Sequence, residues 1–455
     1  MQKKIISLFL LAIFILSSGF GCKTVDKETQ AAIQPVTINY WRVFDGPDDF
    51  QEIINSYRAL HANVTINYRK LRYEEYETEL LNALAEDRGP DILSIHNTWM
   101  RKYQNKLEPM PTSTTMAFPV EKGSIKKEIV QELRTNKSLT LKDLKDKFLD
   151  VVYGDVVIDN KIYGLPLSVD TLALYYNRDL LNNAGIIQVP AYWNKEFQQD
   201  VKKLTKQDAK IGITQAGIAL GGTKNIERYS DILAVLMLQN GATMMEGDRV
   251  LFNNIPAAAR DTNYNPGLEA LRFYVDFVNP GKEVYAWNEQ MENSLNLFIN
   301  GQLAIMFGYA YHLPTIKAQA PKLNFSIAPL PQIEGSPVTV NFANYWVEVV
   351  SKKSKHTNEA WDFLQFVAKE EQVKKYLTSA NKPTALRSLV KSQIENGEIG
   401  IFAGQLLTAK SWYKGKNVEA AESAIAEMII NAQQGKEKIQ DIINTGASKV
   451  QQTIN

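Results

Sequence analysis

The chain has 455 residues, more than the roughly 250–300 at which a single hydrophobic core stops growing, so at least two lobes are expected. Hydrophobic residues make up 45% and charged residues 22%, which excludes a disordered chain. The 51 Lys and Arg against 50 Asp and Glu leave almost no net charge, which argues against nucleic acid as the main partner, because phosphate binding needs a strongly basic face.

The N-terminus opens with MQKK, then the apolar run IISLFLLAIFILSS, then GFGC. A short basic region, an apolar core and small residues are the parts of an export signal. The apolar run is shorter than the ~20 residues a spanning helix needs. Cys22 is the only cysteine, so no internal disulfide can form. A lone Cys directly after a small residue resembles the lipobox of bacterial lipoproteins, although Gly19 stands where Leu is usual. The expectation is a signal peptide over 1–21 and a lipid-anchored tether over 22–35, holding the protein on the extracytoplasmic side of a membrane. An ordinary secretory leader, or an uncleaved anchor, that happens to contain a Cys is the alternative.

VTINYW (36–41) alternates and reads as a first strand. DDFQEIINSYRALHA follows as a helix with Phe50, Ile53, Ile54, Tyr57 and Leu60 on one face and acids in its first turn. VTINYRKL (64–71), YEEYETELLNALAED and GPDILSI (89–95) continue as strand, helix and strand. That alternation predicts a parallel α/β sheet. Over 109–150 a Pro/Thr/Ser-rich loop is expected to run into a charged helical segment, KKEIVQELRTNKSLTLKDLKDKFLD, with a solvated face. The next stretch, DNKIYGLPLSVDTLALYYNRDLLNNAG (159–185), reads as a strand carrying one acid, Asp170, with Asn177 as the N-cap of a helix and Gly185 ending it. Residues 190–300 look mainly helical. Strands are expected over 301–311, 322–332 and 341–352, an amphipathic helix after His356, and helices over most of 418–455.

Catalytic and metal signatures find little support. The four histidines, His61, His96, His312 and His356, are scattered without metal-ligand spacing. No G-x-S-x-G elbow occurs, and GIALGGTK (217–224) spaces its glycines wrongly for a phosphate or dinucleotide loop. No metal or cofactor is expected. A two-carboxylate glycosidase has no fixed spacing and stays open as an alternative. What stands out is aromatics beside polar residues at strand ends: Tyr40-Trp41-Arg42, His96-Asn97-Thr98-Trp99, Tyr309-Ala310-Tyr311 and Asn344-Tyr345-Trp346. In open α/β sheets ligands sit beyond the carboxyl ends of the strands. Flat rings flanked by amides, hydroxyls and carboxylates suit a sugar, whose C–H faces stack while its hydroxyls hydrogen-bond. Each ring taken singly reads equally well as packing.

Several phrases in order then carry a resemblance: NYWRVFDGPDDFQEIINSY, GPDILSIHNTW with NKLEPMP, DNKIYGLPLSVDTLALYYNRDLLNNAGI, ITQAGIALG with LMLQNGA, FINGQLAIMFGYAY and EAWDFLQFVAKEEQVKKY. From about residue 36 onward the chain resembles the extracellular solute-binding proteins of ABC importers, in the branch that contains maltose-binding protein. The resemblance implies an α/β fold of two lobes, periplasmic-binding-protein-like, with a ligand cleft and crossing hinge segments. Lobe 1 is expected over 36–168 plus about 346–402, and lobe 2 over 169–341 plus about 408–455. It implies a monomer without cofactor that captures a small polar solute, a sugar above all, and delivers it to permease subunits. Carried over by motif, Asp170 would face the cleft from the first crossing. Trp41, Arg42 and Asp45 would lie in the loop after the first strand, His96 and Trp99 in a second cleft loop, and Tyr309 at a sugar-stacking position. Asn341 and Tyr345 would lie near the second crossing and Trp412 near the third. Trp41, Trp99 and Tyr309 are the expected stacking platforms. A secreted glycan hydrolase and an adhesion lipoprotein are the rival readings.

Overall fold

The computed structural model describes residues 26–124 and 127–455. The expected signal peptide and Cys22 lie outside the described residues, so the expectations placed on them are not addressed by the fold. Strand Val36–Val43 pairs in parallel with Val64–Leu71, from Val36↔Val64 to Val43↔Leu71, and with Ile92–His96 at Tyr40↔Ile92. Its alternation puts Ile38 and Tyr40 fully inside. Helices Asp48–Leu60 and Tyr73–Ala85 make the crossovers that parallel pairing requires, burying Phe50, Ile53 and Tyr57 from the first and Tyr76 and Leu80 from the second. Trp346–Ser351 then enters the sheet antiparallel to Ile92–His96, with Leu107–Glu108 at the far edge.

The second sheet runs Lys206–Asp208, Gly212–Ile218, Leu303–Gly308, Ala173–Asn177, Phe325–Ala328. Leu303–Gly308 is buried at every position because helices cover both faces. Tyr229–Gln239, apolar nearly all round, is buried along almost its whole length, as such a helix must be. The apolar residues separate into two clusters. One holds residues from Ile38 to Val169 and from Ala343 to Ala409; the other holds Leu172 to Phe342 and Ile399 to Ile454. The chain changes cluster within a third, small sheet made of Asp170–Thr171, Asn341–Asn344 and Ala409–Lys410. Asp170 pairs with Asn344, and Asn341 with Ala409. Side chains stitch the three crossings together: Asn341 Nδ2 donates to Thr408 Oγ1 at 2.8 Å, and Gln405 Nε2 donates to Thr171 Oγ1 at 3.1 Å.

Four sequence expectations are corrected. The 109–150 segment is a β-hairpin, Ser113–Lys122 with Glu128–Lys137, followed by a short helix, Leu141–Lys147. Its charges alternate in a way that fits either period, and a partner strand supplied the hydrogen bonds; Thr114 Oγ1 and Asn358 then anchor its root on the helix Thr357–Val367. Residues 190–300 contain the strand Gly212–Ile218, which lies inside a sheet rather than on a helix. The 341–352 strand is two strands broken at Tyr345, one a crossing and one in the first sheet. The strand around Asp170 is likewise interrupted, and it has no polar face: Leu172 and Leu174 are as buried as Ala173 and Tyr175.

Candidate ligand cleft

The wall of the first lobe is built where its strands end. Ile92–His96 stops in a turn, Asn97–Trp99, whose first backbone N–H groups are partly met by the His96 ring. Trp346, next to His96 in register, is the centre of an aromatic cluster. Phe44, Tyr73, Tyr76, His96 and Trp99 all meet its ring edge-on, with centroids 5.5–6.2 Å away, the arrangement aromatic quadrupoles favour. Burial pushes the His96 imidazole down to about 4, and the Arg228 guanidinium from the facing lobe adds to that. His96 is therefore neutral near pH 7, free to exchange hydrogen bonds without a charge.

The wall of the second lobe starts at Arg228, which stands in the left-handed region (φ 56°) just before helix Tyr229–Gln239. Its guanidinium grips Asp231 with two hydrogen bonds of 2.8 and 3.0 Å. Burial opposes the Arg228 charge, but Asp231 and Glu422 more than offset it and hold the group protonated. Asp231 also accepts from the Tyr309 hydroxyl at 2.7 Å. Tyr309 is wholly buried, with Tyr311 stacked on it at 5.6 Å, and Tyr311 is 48% exposed. The open aromatic face on this side therefore belongs to Tyr311.

Asp170 lies where the first crossing meets the turn before Tyr311. Its Oδ1 accepts from the backbone N–H of Thr171 at 2.8 Å and of Ala310 at 3.1 Å, joining the first crossing to the start of helix His312–Gln319. Burial raises this carboxyl to about 7 despite those donors. The walls approach closely: Lys102 Nζ lies 3.5 Å from Glu419 Oε1 across the cleft. The hollow between His96, Asn97, Arg228, Asn344 and Glu422 has about 30 Å³. A larger hollow of about 510 Å³ lies beside it, sharing Asn97, Thr98, Ser411, Trp412 and Tyr413 and bounded by Asp155 and Met244 from opposite lobes.

Of the residues expected in the site, His96 and Trp412 line the hollows, Trp99 joins the Trp346 cluster, Asp170 holds the first crossing to Ala310, and Tyr309 lies behind Tyr311. The remaining five point elsewhere. Trp41 packs beneath the Arg69 guanidinium, 4.8 Å from its ring. Arg42 and Asp45 are buried in the first lobe, in an ion cluster with Glu348, Tyr376 and Lys382. Alternation within the strand sends Arg42 to the core side, as it does Tyr40. Asn341 ties two crossings together, and the Tyr345 hydroxyl donates to Asp155 Oδ2 at 2.6 Å. Sequence reading did not assign Phe44, Tyr73, Arg228, Asp231 or Glu422, and it picked out Tyr311 and Trp346 only as members of aromatic groups at strand ends. The signal available for two of them was the Arg-x-x-Asp spacing in ERYSD, directly before an apolar helix. Among the described residues no group of His, Cys, Asp and Glu is placed to hold a metal ion, and no helix is long and apolar enough to cross a membrane.

This two-walled architecture has known counterparts. The chain is 23% identical over 408 residues to a binding protein of Brucella abortus, covering 87% of each. It is 23% identical over 317 residues to the maltodextrin-binding protein MdxE of Bacillus subtilis, covering 68% of this chain and 70% of that one. Among solved structures, the cyclic alpha-maltosyl-1,6-maltose binding protein from Arthrobacter globiformis superposes with a TM-score of 0.72 at 18% identity, over 92% of this chain and 99% of that one. The sequence pattern of bacterial extracellular solute-binding proteins matches residues 45–374. The chain belongs to the bacterial extracellular solute-binding protein family.

Proposed function

We propose that the protein is the capture component of an ABC importer, held on the outer face of a membrane through Cys22, which closes its lobes on a neutral carbohydrate and passes it to permease subunits. The observation that carries this reading is the composition of the two walls: open aromatic faces on both lobes, with the charged groups between them already paired to each other. Rings that stack and lone pairs that accept, without an unpaired charge, suit a polyhydroxylated neutral solute. Relatives named for maltodextrin, galactooligosaccharide and multiple-sugar binding support the same class. Only the part of the binding energy that favours the closed over the open form drives closure, so both walls must touch the ligand. The protein works by binding as a monomer and leaves its ligand chemically unchanged.

A thermal-shift screen over neutral mono- and oligosaccharides, sugar phosphates, polyols and peptides tests the reading. At a ligand concentration about 100-fold above Kd, binding adds about 2.7 kcal/mol to stability, enough for a clear rise in Tm. A neutral sugar should give that rise, and reducing-sugar release from the same sugars should stay at the blank. Stabilisation by charged solutes alone, or hydrolysis, would overturn it.

A further inference from the structure

The two hollows between the lobes differ in charge. In the smaller one Arg228 is balanced by Asp231 and Glu422. The larger, of about 510 Å³, is lined by three cations, Arg101, Lys410 and Lys414, and by one carboxylate, Asp155, which leaves two positive charges over. Its volume is that of a small-molecule site.

The single carboxylate is fully engaged. Asp155 Oδ2 accepts from Asn97 at 3.0 Å and from the Tyr345 hydroxyl at 2.6 Å, and Oδ1 accepts from Ser411 at 2.6 Å and from Lys414. Those four donors use the lone pairs a carboxylate has. Arg101 and Lys410 have no such answer, since neither side chain makes a hydrogen bond or an ion pair among the described residues. A lone cation in open water needs none, but Arg101, on the short helix Met100–Tyr103, is half-buried and stands near enough to Lys414 for the two charges to repel.

The walls belong to different lobes. Met100 and Ile158 pack in the first apolar cluster, Ala242 and Met244 in the second, and Lys410 lies in the third crossing, paired with Phe342. A molecule that fills the hollow touches both lobes at once and favours their approach over their separation.

We infer that this hollow is a separate site for a small organic dianion, a phosphate monoester or a dicarboxylate, which Arg101 and Lys410 hold and which strengthens solute capture in the neighbouring hollow. A phosphate monoester carries about two negative charges near pH 7, the number the lining leaves over. The planar guanidinium of Arg101 presents paired donors that match either a phosphate or a carboxylate. Binding of the dianion stands apart from the carbohydrate reading; its effect on capture rests on that reading. By linkage, whatever factor the dianion adds to sugar affinity the sugar adds to dianion affinity.

The test is calorimetry on the full mature chain with inorganic phosphate, glucose 6-phosphate and succinate. Wild type should bind an organic probe saturably and more tightly than inorganic phosphate, which fills less of the hollow. Preference for glucose 6-phosphate assigns the phosphate ester, and preference for succinate the dicarboxylate. Arg101→Gln and Lys410→Gln should each weaken that binding about tenfold or more, with Tm unchanged when no probe is present. At saturating probe, the affinity for the neutral sugar found in the thermal screen should rise about fivefold in wild type and stay level in Arg101→Gln. Binding that survives both substitutions, or no saturable binding of either organic probe, would overturn the site. Displacement of the neutral sugar by the probe would overturn it as well, because the two would then share one hollow. If no neutral sugar binds at all, the coupling is lost with the carbohydrate reading, while probe binding that disappears in Arg101→Gln still upholds the dianion site.

Discussion

Replacing Asp170 by Asn should make the protein more stable at neutral and higher pH. The carboxyl sits at the point where the chain leaves one apolar cluster, at Val169, and enters the other, at Leu172. Burial moves it from its ordinary 3.8 to about 7. A raised pKa means that the folded state holds this proton more tightly than the unfolded state. The stability linked to it is complete below about pH 4, falls as pH rises through 7, and is flat above. Three pH units at 1.36 kcal/mol each set a ceiling of about 4 kcal/mol. Asn keeps the oxygen that accepts from Thr171 and Ala310 and carries no charge. Urea unfolding from pH 4.5 to 8.5 should therefore show Asp170→Asn near wild type at the acid end and about 2–4 kcal/mol more stable at the alkaline end. The same variant should bind ligand several-fold more weakly if this carboxyl serves the cleft. A variant less stable than wild type at pH 8 would refute the reasoning, because it would mean that the backbone donors hold the ionised form and burial does not dominate.

Asp155, 4% exposed, accepts from Asn97 at 3.0 Å, Tyr345 at 2.6 Å, Ser411 at 2.6 Å and from Lys414, so it joins the first lobe to the third crossing. Breaking a buried pair costs about 3–5 kcal/mol, and because Lys414 reaches water, Asp155→Ala should cost about 2–4 kcal/mol in urea; a loss below about 1 kcal/mol would show that the node holds little. Tyr309→Phe removes one bond to Asp231 and should cost about 1–2 kcal/mol, measured by denaturation. Tyr311→Ala should leave stability nearly unchanged and weaken the best ligand of the thermal screen severalfold in calorimetry, since its ring is the open one; equal affinity would remove it from the site. Cys22→Ser should move the protein from the membrane to the soluble fraction, and retention in the membrane would sink the anchor.

The parts of the fold that were readable in the sequence share one trait: the local pattern and the tertiary environment agree. Asn177 illustrates it, since its side chain meets the N–H groups of Asp179 and Leu180 whatever packs around them. The hairpin over 113–137 was unreadable because its bonds come from a partner strand, and a mixed-charge ribbon suits either period. Site residues divide in the same way. A strand end can be located from alternation, but one position decides whether a side chain enters the core or the cleft. Arg42 and Phe44 are two residues apart and should share a face, yet the left-handed turn at Phe44 (φ 68°) breaks the alternation and sends its ring to the Trp346 cluster. No periodicity encodes that turn; it follows from how Asp45 is clamped by residues some 330 positions away. Glu422 and Trp346 join the site by the same kind of long-range closure.

The charges of the cleft bear on what it can admit. Arg228 is bound twice by Asp231 and lies 3.6 Å from Glu422. An anionic solute would have to compete with Asp231 for the guanidinium, and a cationic one would have to draw Asp231 or Glu422 away from it. Either exchange breaks a largely buried pair, at a cost of about 3–5 kcal/mol. A micromolar ligand supplies about 8.2 kcal/mol in all, so roughly half would go to replacing a pair that already existed. A neutral hydroxyl adds to the free lone pairs of the same carboxylates and leaves the guanidinium where it is. The pairing also gives Arg228, Asp231 and Glu422 partners within one wall, so the lobes can approach without forcing any of these three charges out of water alone. Closure is then driven chiefly by what stacks between Tyr311 on one side and the Trp346 cluster on the other.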